Sequence, residues 1–187
     1  MLIPINQNGV QKKVFARVAN GSIITKKDGQ VSNFGAISGS LKSIELKEHE
    51  FENKKFKNWH LELIDNASNE VYDLSISRSS GAFKSIVRSL VTEQGLANLN
   101  DITIEVYTSK TGYTNASVSA AAQRLHWTDE PMPALSYVKV GENEVADDSA
   151  QMNWIQTLVD RINARIASPE EVIDLTEDLP FDDDLPE

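Results

Sequence analysis

The sequence predicts a mainly β protein: a five-stranded barrel with one helix between its third and fourth strands, an extra N-terminal hairpin and a C-terminal helix. Three observations support this fold class. Short segments alternate apolar and polar residues and are separated by turn residues, as half-buried strands do. One apolar stripe of helical period interrupts these segments, and a second follows them. The chain has 187 residues, 40% of them hydrophobic, enough for one medium domain.

Residues 12–34 predict the extra hairpin. Residues 13–18 alternate strictly, so one face is apolar and the other carries an aromatic ring between two cations, Lys13, Phe15 and Arg17. Asp28-Gly29 is a strong hairpin signal, and the return strand follows it.

Residues 40–122 predict the barrel itself. Two features lie between its strands: a charged stretch at 48–57, interpreted as a loop, and a helix capped by Ser79-Ser80, with Gly95 placed to end it. The helix has one apolar stripe, formed by Phe83, Ile86, Val87, Leu90 and Val91. The strands are expected at 40–47, 59–63, 72–76, 102–106 and 116–120. Three strands, a helix and two strands are the element order of the OB-fold.

The C-terminal third predicts irregular structure followed by a helix and a tail. Residues 125–141 contain two prolines and read as irregular, and Asp148 with Gln151 resembles a capping box at the start of the helix. We expect this helix to pack on the barrel; the alternative is that it mediates self-association. The expected units are an OB-fold domain at 1–146, a helix at 147–168 and a disordered acidic tail at 169–187.

Composition limits the location and the chemistry. The chain has no cysteine, no basic segment followed by a long apolar stretch at its start, and no apolar run of membrane-spanning length. We therefore expect a soluble, cytoplasmic protein.

Catalytic constellations are absent from the sequence. His49, His60 and His126 show no metal-ligand spacing, which favours isolated histidines, and nucleotide-binding and hydrolase motifs are missing. The expectation is a protein that is not an enzyme and has no metal site and no cofactor.

The charge is unevenly distributed. Residues 1–126 carry 15 lysine and arginine residues against 12 acidic residues, whereas residues 170–187 carry nine acidic residues and no basic one. A mildly basic body with an acidic tail is a hint of nucleic-acid contact.

Cations beside aromatics give the candidate nucleic-acid site, because cations follow phosphates and aromatic faces stack bases. Phe15 and Tyr113 are the best stacking candidates, since their neighbours are polar. Trp59 shares its alternation with Leu61 and Leu63, which is equally typical of a core residue, and Phe56 could equally plug the barrel. The candidate residues are Lys13, Phe15, Arg17, Phe34, Lys54, Lys55, Phe56, Lys57, Trp59, Arg78, Tyr107, Lys110, Tyr113 and Arg124.

The C-terminal tip is more specific than a plain acidic run. Its apolar residues flank three aspartates, in the order Phe181, Asp182, Asp183, Asp184, Leu185 and Pro186. With the OB-like element order, this tip resembles that of the bacterial and phage single-stranded DNA-binding (SSB) proteins. Glu187 stands where that family has a final Phe, and the long Gly/Gln-rich linker usual in bacterial members is missing, so the resemblance is to a phage-type member.

The resemblance implies a protein that coats single-stranded DNA in replication, recombination and repair and recruits partner proteins through its tip. Two alternatives remain open: an OB-fold protein-interaction adaptor and an RNA-binding protein, since stacking and phosphate contacts do not sense the 2′-hydroxyl. The oligomeric state is not readable from the sequence.

Overall fold

The computed structural model describes residues 13–27 and 29–168. The acidic tail and its predicted partner-binding tip lie outside these residues. The elements are β1 (Lys13–Ala19), β2 (Ser22–Lys27), β3 (Gln30–Phe34), β4 (Ala36–Phe51), β5 (Lys54–Ile64), β6 (Val71–Ser77), α1 (Gly81–Leu90), α2 (Glu93–Ala97), β7 (Ile102–Thr108), β8 (Thr114–Ala120), β9 (Gln123–Arg124), β10 (Ser136–Val140), β11 (Asn143–Asp147) and α3 (Ser149–Ala167).

Nine strands form one mixed sheet in the order β3-β2-β1-β6-β5-β4-β7-β8-β9. Only the β1–β6 pair is parallel among them. The long strand β4 bends, pairing with β7 at its start and with β5 over the rest of its length. Gly39 lies at this change of partner, and a Cβ there would come within 2.3 Å of the Ile64 carbonyl oxygen, so the bend needs glycine.

The mainly β class and the C-terminal helix are confirmed, but the sheet does not close into a five-stranded barrel. The expected order of three strands, a helix and two strands is present as β4, β5, β6, α1, β7 and β8. However, the N-terminal strands are part of the same sheet: β1 occupies the free edge of β6, while β8 pairs with β9. The two halves of the sheet contact each other where the β1–β2 turn meets the start of β8. There the Gly21 N–H donates to Thr114 Oγ1 at 3.1 Å.

The core lies between the sheet and the helices. All five residues of the predicted α1 stripe are buried, and the helix is capped as predicted, with Ser80 Oγ accepting from the Ala82 N–H at 3.2 Å. Trp59 stacks on Phe83 with ring centroids 4.6 Å apart. Packing of α1 on the sheet is therefore organised around an aromatic pair.

The helix α3 packs against β4 and α1. Its Asn163 side chain binds both backbone groups of Ile44, donating to the carbonyl at 2.8 Å and accepting from the N–H at 3.0 Å. These bonds lie beside the irregularity of β4 between Leu41 and Ser43, where the ladder with β5 shifts register. A side-chain amide thus satisfies backbone groups beside this interruption of the ladder.

Asn163→Ala is expected to lower the free energy of unfolding by about 2–4 kcal/mol, because it leaves the N–H and C=O of Ile44 without their partner. Urea denaturation measures the loss. Asn153→Ala is the matched control, since Asn153 is an exposed residue of the same helix and its replacement should change stability by less than about 0.5 kcal/mol. Equal losses for the two variants would contradict the role assigned to Asn163.

Three local expectations were wrong. The stretch 48–57 is a β-ribbon whose Glu52-Asn53 turn has two positive φ angles, 49° and 60°, as in a two-residue hairpin loop. Residues 136–147 form the β10–β11 hairpin. Gly95 lies inside α2, where a Cβ would come within 2.5 Å of the Leu90 carbonyl oxygen, so its role is close helix packing.

The predicted capping box at α3 is also wrong. Asp148 makes no side-chain cap bond; Gln151 instead donates to the Pro133 carbonyl at 2.8 Å and accepts from Lys84 at 2.7 Å. None of the helices in the described ranges combines the length and the apolar character needed to cross a lipid bilayer.

Candidate nucleic-acid interface

The candidate site is built on the outer face, defined as the side of β1, β2, β4, β5 and β6 that points away from the core. On β1, Val14 and Ala16 are buried while Lys13, Phe15 and Arg17 are exposed, as the alternation predicts. Phe15 has 66% of its surface exposed. A large aromatic ring is therefore held in solvent on a strand with a paired neighbour on each side.

Phe15 lines a groove of about 400 Å³ on this face. Strand β1 contributes Phe15 and Arg17, and β2 contributes Lys26. Apolar side chains of Ile24 and Val31 complete much of the lining, and Asp73 and Ser75 close it on the β6 side. The groove thus combines an apolar surface for a flat ring with two cations at its rim.

The acidic side chains near the groove have partners. Glu62 is bound by Lys13, and this hydrogen bond raises the pKa of the Lys13 amine. Lys47 lies 3.4 Å from Glu45 and 3.9 Å from Asp73. These contacts reduce the negative field that would oppose a phosphate.

Arg17, Lys26 and Lys54 form no ion pair with another residue of the described part of the chain. Binding an anion through these cations therefore breaks no salt bridge among these residues. They are the cations of the outer face best placed to be candidate phosphate ligands.

His49 and His60 are not isolated, in contrast to the sequence-based expectation. His60 Nδ1 lies 2.6 Å from the buried carboxylate of Asp73, and His60 Nε2 lies 2.8 Å from His49 Nε2. When the His60 ring is neutral and its Nδ1–H donates to Asp73, its Nε2 atom is left as the acceptor and the His49 Nε2–H donates. The chain Asp73–His60–His49 runs across the outer face from the buried Asp73 on β6 to the exposed His49 on β4, which pairs across the ladder with Phe56.

A metal between the two imidazoles would need both nitrogens to converge on one point. The ring centroids are 5.0 Å apart, close to the largest separation that a 2.8 Å N···N distance allows, so the two nitrogens point at each other. This geometry is that of an N–H···N hydrogen bond between the two rings. Within the described residues, no group of three metal-binding side chains occurs.

His60→Ala is expected to lower the free energy of unfolding by about 2–3 kcal/mol, because the buried Asp73 carboxylate loses its hydrogen-bond donor. Thermal or urea unfolding near neutral pH measures the effect. His49→Ala removes the exposed end of the same chain and should cost less than about 1 kcal/mol. A His60→Ala variant no less stable than His49→Ala would show that Asp73 does not depend on His60.

The cation–aromatic cluster predicted in the segment 54–57 is divided between the two faces of the β-ribbon. Lys54 and Phe56 are in phase with His60 and belong to the outer face. Lys55 and Lys57 are on the opposite face, 3.1 Å and 3.7 Å from Glu48, and the hydrogen bond from Lys55 lowers the pKa of the Glu48 carboxyl.

Three further predicted residues do not belong to the outer face. Trp59 is only 2% exposed and stacks on Phe83, so the structure places it in the core rather than at a base-stacking position. Arg78 lies beside α3, 3.8 Å from Asp148. Phe34 is half-exposed on the edge strand β3 and lies on the side of the sheet opposite the outer face. With its cross-strand partner Ile23 it lines a cavity of about 200 Å³.

The remaining candidates lie on the β7–β9 part of the sheet and are all exposed: Tyr107, Lys110, Tyr113 and Arg124. The loop 109–113 leads directly into Thr114, which accepts the hydrogen bond from Gly21 in the turn that follows β1. Lys110 and Tyr113 are thereby brought to the end of the strand that carries Phe15 and Arg17.

Sequence reasoning missed Lys26, Ile24 and Val31 as groove residues. The signal was present in the predicted hairpin, because alternation puts Ile24 and Lys26 on one face of β2, opposite the buried Ile23. Following this phase across the hairpin would have placed both beside β1.

Comparison with protein-family models, with curated proteins and with solved structures finds no match for this chain.

Proposed function

We propose that the protein binds single-stranded DNA without sequence preference, along the outer face of its sheet. The observation that carries this proposal is Phe15, a two-thirds exposed ring between Lys13 and Arg17, at a groove that also presents Lys26. Single-stranded nucleic acid binders combine stacking rings with cations that follow the backbone. Phe15 supplies the first, and Arg17 and Lys26 supply the second.

The binding path continues from this groove along two directions of the same surface. Toward the β-ribbon it meets His49, Phe56 and Lys54, and past the β1–β2 turn it meets the loop 109–113. A base stacks equally well on a ring whatever its hydrogen-bonding edge, so binding through these side chains tolerates any sequence.

The finer fold assignment belongs to the same proposal. We interpret β4, β5, β6, α1, β7 and β8 as an OB-related unit in which the N-terminal strands extend the sheet. Its support is the element order and the position of α1 in the core. The OB-fold binds oligonucleotides on the outer surface of its strands, which is the surface that carries Phe56 and His60 here.

The acidic tip, residues 181–186, would recruit replication, recombination or repair proteins, as in the phage-type SSB proteins that it resembles. The apolar residues beside the charge suit a short peptide that docks in a basic-rimmed pocket. With Glu187 in the last position, we expect Phe181 to be the anchor.

A competition experiment tests the choice of ligand. The full chain is titrated onto a fluorescent oligo-dT, and unlabelled single-stranded DNA, duplex DNA and RNA of equal length compete. Single-stranded DNA should displace the probe at least tenfold better than duplex DNA. Equal competition by duplex DNA would contradict the proposal, and stronger competition by RNA would favour RNA as the ligand.

A further inference from the structure

The β10–β11 hairpin is not part of the proposed DNA site. Its two strands pair only with each other in the described structure, and every residue of β10 is exposed. A two-stranded hairpin is marginally stable by itself in water, and a strand edge with free backbone groups can pair with another strand. The hairpin is therefore a candidate surface for association.

One face of the hairpin carries three exposed valines, beside the polar residues Ser136, Asn143 and Asp147. Val138 and Val145 are cross-strand partners, and Val140 lies two residues further along β10 on the same face; the three are 46%, 47% and 61% exposed, in that order. Nearby, Leu135 and Met132 are also exposed. Exposed apolar patches of this kind mark interaction sites.

Charge identifies which edge is suited to pairing. Lys139 is the only charged residue of β10, whereas the β11 side carries Glu142, Glu144 and Asp147. Two β11 edges together would concentrate acidic groups, and the same groups disfavour a nucleic acid. The β10 edge carries one charge per copy, Lys139, so any register that does not place Lys139 opposite itself avoids directly opposed like charges.

We propose that the hairpin mediates a homodimer, in which β10 pairs antiparallel with β10 of a second copy about a two-fold axis at Val138. This register places Tyr137 opposite Lys139 of the second copy, and Ser136 opposite Val140. Cation and ring are then cross-strand neighbours, the two Val138 side chains face each other, and the valines of both hairpins lie on one side of a four-stranded sheet. The pairing is isologous, so it closes at two copies.

The hairpin geometry supports this register. The two-residue loop Gly141-Glu142 makes Val140 and Asn143 the closing hydrogen-bonded pair, so the next such pair is Val138 with Val145. The backbone N–H and C=O groups of Tyr137 and Lys139 then point to the free edge of β10. Those groups are the ones that the proposed strand pair needs.

The absence of cysteine makes a direct test possible. Val138→Cys should give a covalent dimer on mild oxidation, since non-hydrogen-bonded partners have Cα atoms about 4.5 Å apart, within disulfide range. Tyr137→Cys alone should cross-link at least tenfold more slowly, because in this register it faces Lys139. A mixture of Tyr137→Cys and Lys139→Cys chains should also cross-link, because these two positions are opposite each other in the proposed strand pair. If the two hairpins instead stacked through their valine faces, these positions would be too far apart to cross-link.

Sedimentation of the unmodified full chain, measured without DNA, should give twice the chain mass at tens of micromolar. Val138→Lys should shift it to a monomer with an unchanged circular dichroism spectrum. A monomeric unmodified chain, or equal cross-linking of Val138→Cys and Tyr137→Cys, would overturn the proposal. Because no DNA is present, failure here is distinguishable from failure of the proposed DNA binding.

Discussion

Phe15→Ala is expected to weaken the binding of a short oligo-dT by about 5- to 150-fold, since stacking on one ring contributes about 1–3 kcal/mol. Folding stability should change by less than about 0.5 kcal/mol, because the ring is mostly exposed and leaves no cavity. Fluorescence anisotropy gives the affinity and urea denaturation gives the stability. The expected result is a loss of binding in a folded protein.

Tyr137→Ala is the matched control for this variant. Tyr137 is 65% exposed on a strand, against 66% for Phe15, but its hairpin is acidic and lies outside the proposed site. An oligonucleotide of about eight nucleotides, within the range that one OB-fold covers, keeps the measurement to a single protomer. Equal affinities for the two variants would mean that Phe15 does not stack bases.

Trp59→Ala is expected to have the opposite profile: a loss of about 3–5 kcal/mol in the free energy of unfolding, the usual cost of truncating a buried aromatic. The indole is 2% exposed and its stacking on Phe83 joins β5 to α1. Differential scanning calorimetry or urea denaturation measures the loss. The Trp127→Ala control should cost about 1 kcal/mol or less, since Trp127 is half-exposed over the Arg88 guanidinium, 4.4 Å from its ring centre.

The conservative variant Trp59→Phe separates folding from binding. It keeps a ring against Phe83 and removes a buried indole N–H that has no hydrogen-bond partner in the described structure. Its stability loss should be smaller than that of Trp59→Ala, and its affinity for oligo-dT should be unchanged. Weaker DNA binding by a stably folded Trp59→Phe protein would show that Trp59 contributes to DNA binding and not only to the core.

Local patterns predicted the parts of the fold that alternation and helical period determine. The buried and exposed faces of β1, the α1 stripe and the Ser80 cap follow directly from residue order. The long β-ribbon was hidden because charged and polar residues dominate both of its faces, and Phe51 and Phe56 are too far apart in sequence to give an apolar alternation. The same reasoning missed β10–β11, whose exposed valines pack on no core.

Long-range pairing was the part that the sequence could not determine. Parallel pairing of β1 with β6 joins segments more than 50 residues apart, and no local signal specifies that β1, rather than β8, lies beside β6. The contact between His49 and His60 depends on the β4–β5 register, and the burial of Trp59 depends on which face α1 covers. For the site, β1 and its pairing with β2 were predictable from residue types and turn residues; its pairing with β6 was not.

The salt dependence of oligo-dT binding by the full chain tests the central proposal most directly. If Arg17, Lys26 and Lys54 each neutralise a phosphate, log affinity should fall with log salt concentration at a slope of about −2, roughly 20-fold between 50 and 200 mM. Charge reversal at Arg17 should make this slope shallower by about 0.7, the contribution of one phosphate contact. An affinity that stays flat over this range, or no binding at low salt, would contradict single-stranded DNA binding by this surface.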